Sequence, residues 1–319
     1  MGRILLSLVG LLIGGFLAWQ VIRQVEWAEV WQELGDYPPG FLVLGLVIIM
    51  ASTYVRALRW RLLYQDPNVR TFRLFLIENA AVGLNNVSPV RVLSEPVQVG
   101  LLTLRDRLSA GEVVATLGIT RIFDLLVTMI ALFAVLALLP ELQPFWPLLL
   151  FAVLAAAVGI GALFVAALSS ARIPLVKRLP VAADLKATMR SLRERPGCVA
   201  LSFVLTVVQW ALVCLCAWVV SQGTNYGLGP AESVAVMLGA FFFATSVPGL
   251  PVAFGTFEFA VLELMQTLSA TPETALTFAL LMRILVFVPQ MLFAAVVLPR
   301  EGVSSLAALR ALLGQRSNQ

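Results

Sequence analysis

Six mostly apolar runs, at 4–22, 40–58, 113–139, 148–169, 197–220 and 274–298, are each long enough to cross a bilayer. This leaves few folds open. Backbone in hydrocarbon has no water to bond to, so a crossing segment must satisfy its own N–H and C=O groups as a helix. The rest of the chain agrees: 60% of residues are hydrophobic and 13% are charged, where a soluble domain carries roughly 25% charged residues. The expected fold is an all-α integral membrane domain, with no soluble part large enough to carry chemistry. The run at 4–22 lacks a small-residue cleavage site after it and reads as an uncleaved signal anchor.

Two further segments, 72–103 and 232–270, are apolar but broken. The first contains Asn85, Asn86, Ser88 and Pro89; the second contains Pro248, Gly249, Pro251 and Gly255. Backbone freed by Pro and Gly must be buried in protein or line a wet cavity. Each segment is therefore expected to be a re-entrant helical hairpin, beside about six full spans.

Charge sets the expected orientation. Residues 23–39 hold Arg23 against Glu26, Glu29, Glu33 and Asp36, and linkers 140–147 and 221–231 hold no Lys or Arg. Segments 56–73 and 170–196 are strongly basic. The positive-inside rule then puts both termini in the cytoplasm of an inner-membrane protein. A basic amphipathic segment at 172–196 carries Leu185, Met189 and Leu192 at helical spacing and reads as a helix on the cytoplasmic leaflet or as a solvated linker. Trp27 and Trp31, one turn apart, suit the aromatic belt.

With that topology, 1–140 and 141–319 show the same element order in opposite orientation, the plan of an inverted repeat. One interval, 32 residues, separates Pro89 from Arg121 and Pro251 from Arg283, with Glu95 and Glu258 shortly after their prolines.

The charges inside the spans are the candidate site. A charge at the bilayer centre costs roughly 2.5–3.5 kcal/mol on insertion scales. Arg121 lies about eight residues into its run, about 12 Å deep, and Arg283 is comparably deep. Both must face a polar interior. Asp124 is placed to pair with Arg121 on one helix face, whether for function or only to lock helices. Glu258 is the first candidate partner for Arg283. Glu95 and Glu258 can pair with the arginines across the repeat axis, bind protons or a headgroup amine, or serve as helix N-terminal charges. Guanidinium suits phosphate, so Arg121, Arg283 and Arg91 are candidate phosphate contacts, while Arg56, Arg59 and Arg61 are expected to set topology and meet headgroups at the membrane surface.

The net charge of +4 comes with no basic tail or stripe, so no nucleic-acid partner is expected. The chain has no His, and its three cysteines cluster at one apolar segment, so neither a metal, a cofactor nor a disulfide framework is expected.

These residues resemble a family. Arg56-Ala57-Leu58-Arg59-Trp60-Arg61 resembles the arginine-rich end of the second span in flippase-like membrane proteins, the family named for the transmembrane domain of lysylphosphatidylglycerol synthase. Asn86, Pro89, Arg91 and Glu95-Pro96 follow its Asn, Pro, Arg, Gly-Glu-Pro order. Thr120-Arg121-Ile122-Phe123-Asp124 is similar to its Glu-Arg-x-x-Asp motif. Pro251, Gly255, Glu258 and Arg283 match its later motifs. The departures are Ser94 for glycine, Gln98 for a common arginine, Thr120 for glutamate, and Val252-Ala253 for paired glycines. The resemblance implies a stand-alone, non-enzymatic lipid translocator with phospholipid headgroups as partners, able to form homo-oligomers. It also implies that Asn86 and the charged residues named above line the lipid path. A transporter of a small soluble anion and an intramembrane lipid-modifying enzyme are the alternatives.

Overall fold

In the computed structural model, residues 2–87, 94–147, 150, 180–246 and 254–303 are described. Among them every regular element is helical and no strand occurs. In order these are α1 (Gly2–Gln24), α2 (Trp27–Asp36), α3 (Pro39–Arg61), α4 (Thr71–Val87), α5 (Ser94–Leu104) and α6 (Ala110–Leu138). A 3-10 turn follows at Pro140–Phe145, then α7 (Pro180–Glu194), α8 (Pro196–Ser221), α9 (Pro230–Ser246), α10 (Thr256–Thr267) and α11 (Pro272–Arg300).

Four of these, α3, α6, α8 and α11, are long and apolar enough to cross a membrane. They cover the expected runs at 40–58, 113–139, 197–220 and 274–298, and α1 covers 4–22. The run at 148–169 lies outside the described residues. Local chemistry starts the long helices where it should. Ser109 Oγ accepts from the Glu112 N–H at 3.2 Å to cap α6, and Thr271 Oγ1 accepts from the Thr274 N–H at 3.3 Å to cap α11. Prolines open α3, α8 and α11, where a missing N–H costs nothing.

Contacts at the two ends of the bundle fix the helix directions. Tyr37 Oη donates to the Val220 carbonyl at 2.8 Å, and Arg195 donates to the Leu63 and Tyr64 carbonyls at 3.4 and 3.5 Å. So α3 and α8 are antiparallel along their length. The Glu26 N–H donates to Glu273 at 3.0 Å, which puts the start of α11 beside the α1–α2 joint. The end of α11 lies at the opposite, arginine-rich end, where Arg73 binds Glu301 and Arg105 donates to the Glu301 carbonyl at 2.9 Å.

The broken segments are each two helices that pack on one another. α4 begins and α5 finishes at the basic end, both beside Glu301. α9 begins at the other end, and α10 finishes there, where Tyr226 Oη donates to the Leu268 carbonyl. Pro89, Arg91 and Pro251 lie outside the described residues. Gly255 is described: it precedes α10 at φ +83°, where a side chain is strained.

The expected amphipathic helix exists in part, with residues 172–179 outside the described residues. In α7 Leu192 is buried with Thr188, whereas Met189 is exposed. The buried face of α7 packs on α6 and α8, so Met189 does not share the face of Leu192. Trp27 and Trp31 are exposed on α2 while Val30 and Glu33 turn inward, and Glu33 accepts from the Asn225 N–H at 2.7 Å.

Two close approaches hold the bundle. α3 packs along α8, and α4 along α11. A Cβ added at Gly83 of α4 would stand 2.0 Å from the Gln290 carbonyl oxygen of α11. Gly83→Ala is expected to cost about 1–3 kcal/mol through overpacking, read as a lower unfolding midpoint in detergent. Gly118→Ala, with nothing within 4 Å of the added atom, is expected to be neutral or stabilising by up to about 1 kcal/mol.

A second prediction concerns the basic end. Arg73 bridges Asp106 at 3.1 Å and Glu301 at 2.5 Å, clamping the mouth of the α4–α5 pair to the end of α11. The hydrogen bond from Arg73 holds the Glu301 carboxyl below the usual carboxylate range, against the opposing effect of burial. A depressed value means the clamp contributes fully above the unfolded carboxylate value of about 4.3 and is lost as pH falls through the folded value. Wild type should therefore melt above Glu301→Gln at pH 7, and the two midpoints should converge below about pH 4. A gap of equal size at pH 7 and pH 3 would count against the clamp.

Candidate functional site

Among the described residues, four Arg–carboxylate pairs lie inside the helical bundle. The first joins α5 to α6: Arg121 donates through Nη2 to Glu95 Oε1 at 2.7 Å. Glu95 is the second residue of α5, and Ser94 Oγ donates to its other oxygen at 2.7 Å. This pair is open, with side chains 54% and 44% exposed.

The second pair joins α10 to α11, between Glu258 and Arg283. It is closed, with side chains 5% and 14% exposed. Glu258 sits in the first turn of α10, and its Oε2 accepts from the Gly255 N–H at 2.9 Å. One carboxylate thus caps the helix and faces the arginine. Phe254 and Phe287 flank the Arg283 guanidinium at 5.3 and 5.1 Å, a cation–π arrangement that suits a poorly hydrated cation. A Cβ at Gly255 would fall 2.2 Å from the Gly14 carbonyl oxygen, so α1 presses on this turn.

The third pair is the most buried. Arg59, 2% exposed, reaches Asp124 with both terminal nitrogens at 2.8 Å. Trp210 Nε1 donates to the same carboxylate at 2.9 Å, and Arg59 also donates to Thr206 Oγ1 at 2.9 Å. Three helices, α3, α6 and α8, meet at Asp124. The fourth pair is Arg56–Glu78, at 3.0 Å between α3 and α4.

Several expectations change here. Asp124 does not pair with Arg121. Its two oxygens are taken by the Arg59 fork and the Trp210 N–H, a bidentate geometry stronger than one contact along a single helix. Arg59 is not a headgroup contact at the membrane surface but a buried anchor, and Arg56 is also paired inside the bundle. Glu95 and Glu258 do not cross between halves: each meets the arginine of the helix that follows its own. Asn86 is buried and donates through Nδ2 to Gln290 Oε1 at 3.1 Å, bracing α4 against α11. Glu258 does face Arg283.

Glu78, Trp210 and Gln290 escaped notice in the sequence, and Arg59 reads there only as a topology and headgroup residue. A lone Glu78 in an otherwise apolar stretch is a signal that a cation must come to it. The fate of three nearby arginines, 56, 59 and 61, leaves no comparable mark.

The cavity seen between α6, α9 and α10 is apolar, about 280 Å³ in volume. Leu132, Leu136, Phe243, Phe259 and Leu264 line it, and Glu263 is the one charged wall residue among the described residues. Among the described residues no cluster of His, Cys, Asp and Glu could hold a metal ion.

Helices that cross a membrane with ion pairs buried between them define a multi-pass membrane protein. The family model described as Lysylphosphatidylglycerol synthase TM region matches residues 7–294, most of the chain, and the protein belongs to that family. This sets it among membrane proteins tied to lipid metabolism or translocation. No curated protein matches the chain.

The buried pairs differ in what their loss should do. Asp124→Asn leaves the Arg59 charge buried with its partner gone, and should destabilise by about 3–5 kcal/mol. Glu95→Gln removes half of an exposed pair and should cost about 1 kcal/mol or less. Thermal unfolding of the two purified variants compares these directly, and equal losses would contradict the assignment.

Proposed function

We propose that the protein moves a phospholipid or related polar lipid between the leaflets of an inner (cytoplasmic) membrane, as a transporter and not an enzyme, with both termini cytoplasmic. The observation that carries the reading is the matched placement of two Glu–Arg pairs. Helices α6 and α11 are both 29 residues long, and Arg121 and Arg283 are each the twelfth residue. Helices α4 and α9 are both 17 residues long. Each is followed in the chain by a short helix that carries the partner glutamate in its first turn.

On this reading 1–140 and 141–319 are inverted repeats, and the two broken segments are re-entrant hairpins entering from opposite faces. The packing supports it, because exchanging the halves returns the same contacts. α4 on α11 becomes α9 on α6, α3 on α4 becomes α8 on α9, and α3 on α8 is its own image.

Arg121 lies roughly 17 Å from the basic end of α6, and Arg283 the same distance from the opposite end of α11. With helix ends level, the pairs sit on either side of the midplane, roughly 9 Å apart along the membrane normal. A headgroup phosphate would pass from one guanidinium to the other while Glu95 and Glu258 balance the charge. Asn86, tied to Gln290, acts as a brace, and Arg91 remains a candidate headgroup contact.

The test is a leaflet-exposure assay in reconstituted vesicles with fluorescent phospholipid. Arg121→Ala and Arg283→Ala are each expected to slow translocation at least tenfold at equal protein content. Wild-type rates in both would end the reading.

A further inference from the structure

The open Glu95–Arg121 pair raises a question that the three other pairs do not. Half-exposed charges at mid-span cannot face hydrocarbon. Something polar must come to them, and on the translocator reading that is a headgroup.

What kind of headgroup follows from charge exchange. A phosphate that becomes the counter-charge of Arg121 takes that role from Glu95. Asp124 and Glu78 also lie within electrostatic range of Arg121, but each already has its own arginine, Arg59 and Arg56. Among the described residues, the span-embedded charges of α3–α6 are therefore three guanidinium groups and three carboxylates, one to one. A headgroup that carries only a negative charge would leave Glu95 with no cation among the described residues. A headgroup with both phosphate and ammonium replaces each partner of the broken pair: phosphate on Arg121, ammonium on Glu95. The number of compensated charges is the same before and after, so the exchange leaves no charge at mid-span without a counter-charge.

Two features favour exchange at this pair. The contact is a single Nη2–Oε1 bond, unlike the two-pronged Arg59–Asp124 contact. One turn along α5 from Glu95, Gln98 is 1% exposed with neither amide atom hydrogen-bonded. A buried amide without partners offers one more acceptor and donor beside the pair.

We propose that the Glu95–Arg121 pair is a receiving site for net-neutral, zwitterionic phospholipid headgroups, opened by exchange of both ionic partners. The proposal rests on the translocator reading, and it names the lipid class.

The experiment uses the full chain in vesicles containing acyl-chain-labelled phosphatidylethanolamine or, separately, acyl-chain-labelled phosphatidylglycerol. Wild type is expected to move the ethanolamine lipid at least tenfold faster. Glu95→Gln is expected to abolish the preference, slowing the ethanolamine lipid and speeding the glycerol lipid, which no longer strands a carboxylate, while Glu95→Asp keeps it. Equal or faster movement of phosphatidylglycerol by wild type overturns the proposal and leaves translocation standing. So does an ethanolamine preference that Glu95→Gln does not alter. Movement of neither lipid above protein-free vesicles overturns the translocator reading itself.

Discussion

A guanidinium in the low-dielectric interior of a membrane protein is tolerable only against a carboxylate, and the Arg59–Asp124 contact meets that condition most completely. Its fork takes both carboxylate oxygens, and Trp210 and Thr206 supply further bonds to the two partners. Because Arg59 comes from α3, Asp124 from α6 and the other two from α8, one ionic contact fixes the mutual rotation of three spans. With no hydrophobic drive between helices in lipid, packing and such polar contacts decide which faces meet. The α3–α8 interface is closed further by Ser52 Oγ donating to the Gln209 carbonyl and Ser202 Oγ donating to the Arg59 carbonyl.

From that junction a run of aromatic rings leads across the bundle. Trp210 meets Phe241 at 6.0 Å, Phe241 meets Phe257 at 5.8 Å, and Phe257 meets Phe287 at 6.4 Å, beside Arg283. The rings fill the space between the anchor in one half and the closed pair in the other. They are rigid bodies with two torsions each, so a change of packing at one end is felt at the next.

Much of this was legible in the residues. Long apolar runs force helices, and Pro and Gly mark where helices must stop, so α3, α6, α8 and α11 and both broken segments could be placed closely. The depth of Arg121 and Arg283 followed from counting residues. Partner choice did not. Arg121 has Glu95, Asp124 and Glu78 within electrostatic range, and spacing along α6 favours Asp124. Only the rotation of α3 and α8, set by side-chain packing between distant segments, decides that Asp124 belongs to Arg59. The same blindness turned Arg59 into a surface charge on paper. An arginine at a helix end reads as a topology signal unless one knows that α8 covers it.

The two matched pairs differ in one respect that symmetry alone forbids: Glu95–Arg121 is open and Glu258–Arg283 is closed. If the halves were related by an exact two-fold axis, both would be equally exposed. Local causes account for the difference. Glu258 is held by the Gly255 N–H, and Arg283 is flanked by Phe254 and Phe287. On the first side, Ser94 bonds the glutamate from the neighbouring position, and no aromatic ring takes the place of those phenylalanines against Arg121 among the described residues. If 1–140 and 141–319 are inverted repeats, as proposed, halves holding different local states have the geometry from which access alternates, since interchanging the two states exposes the other pair. On the translocator reading, the present conformation receives a headgroup at Arg121 and keeps Arg283 sealed. The energy separating it from its mirror state is then the difference between two small sets of contacts, not between two folds.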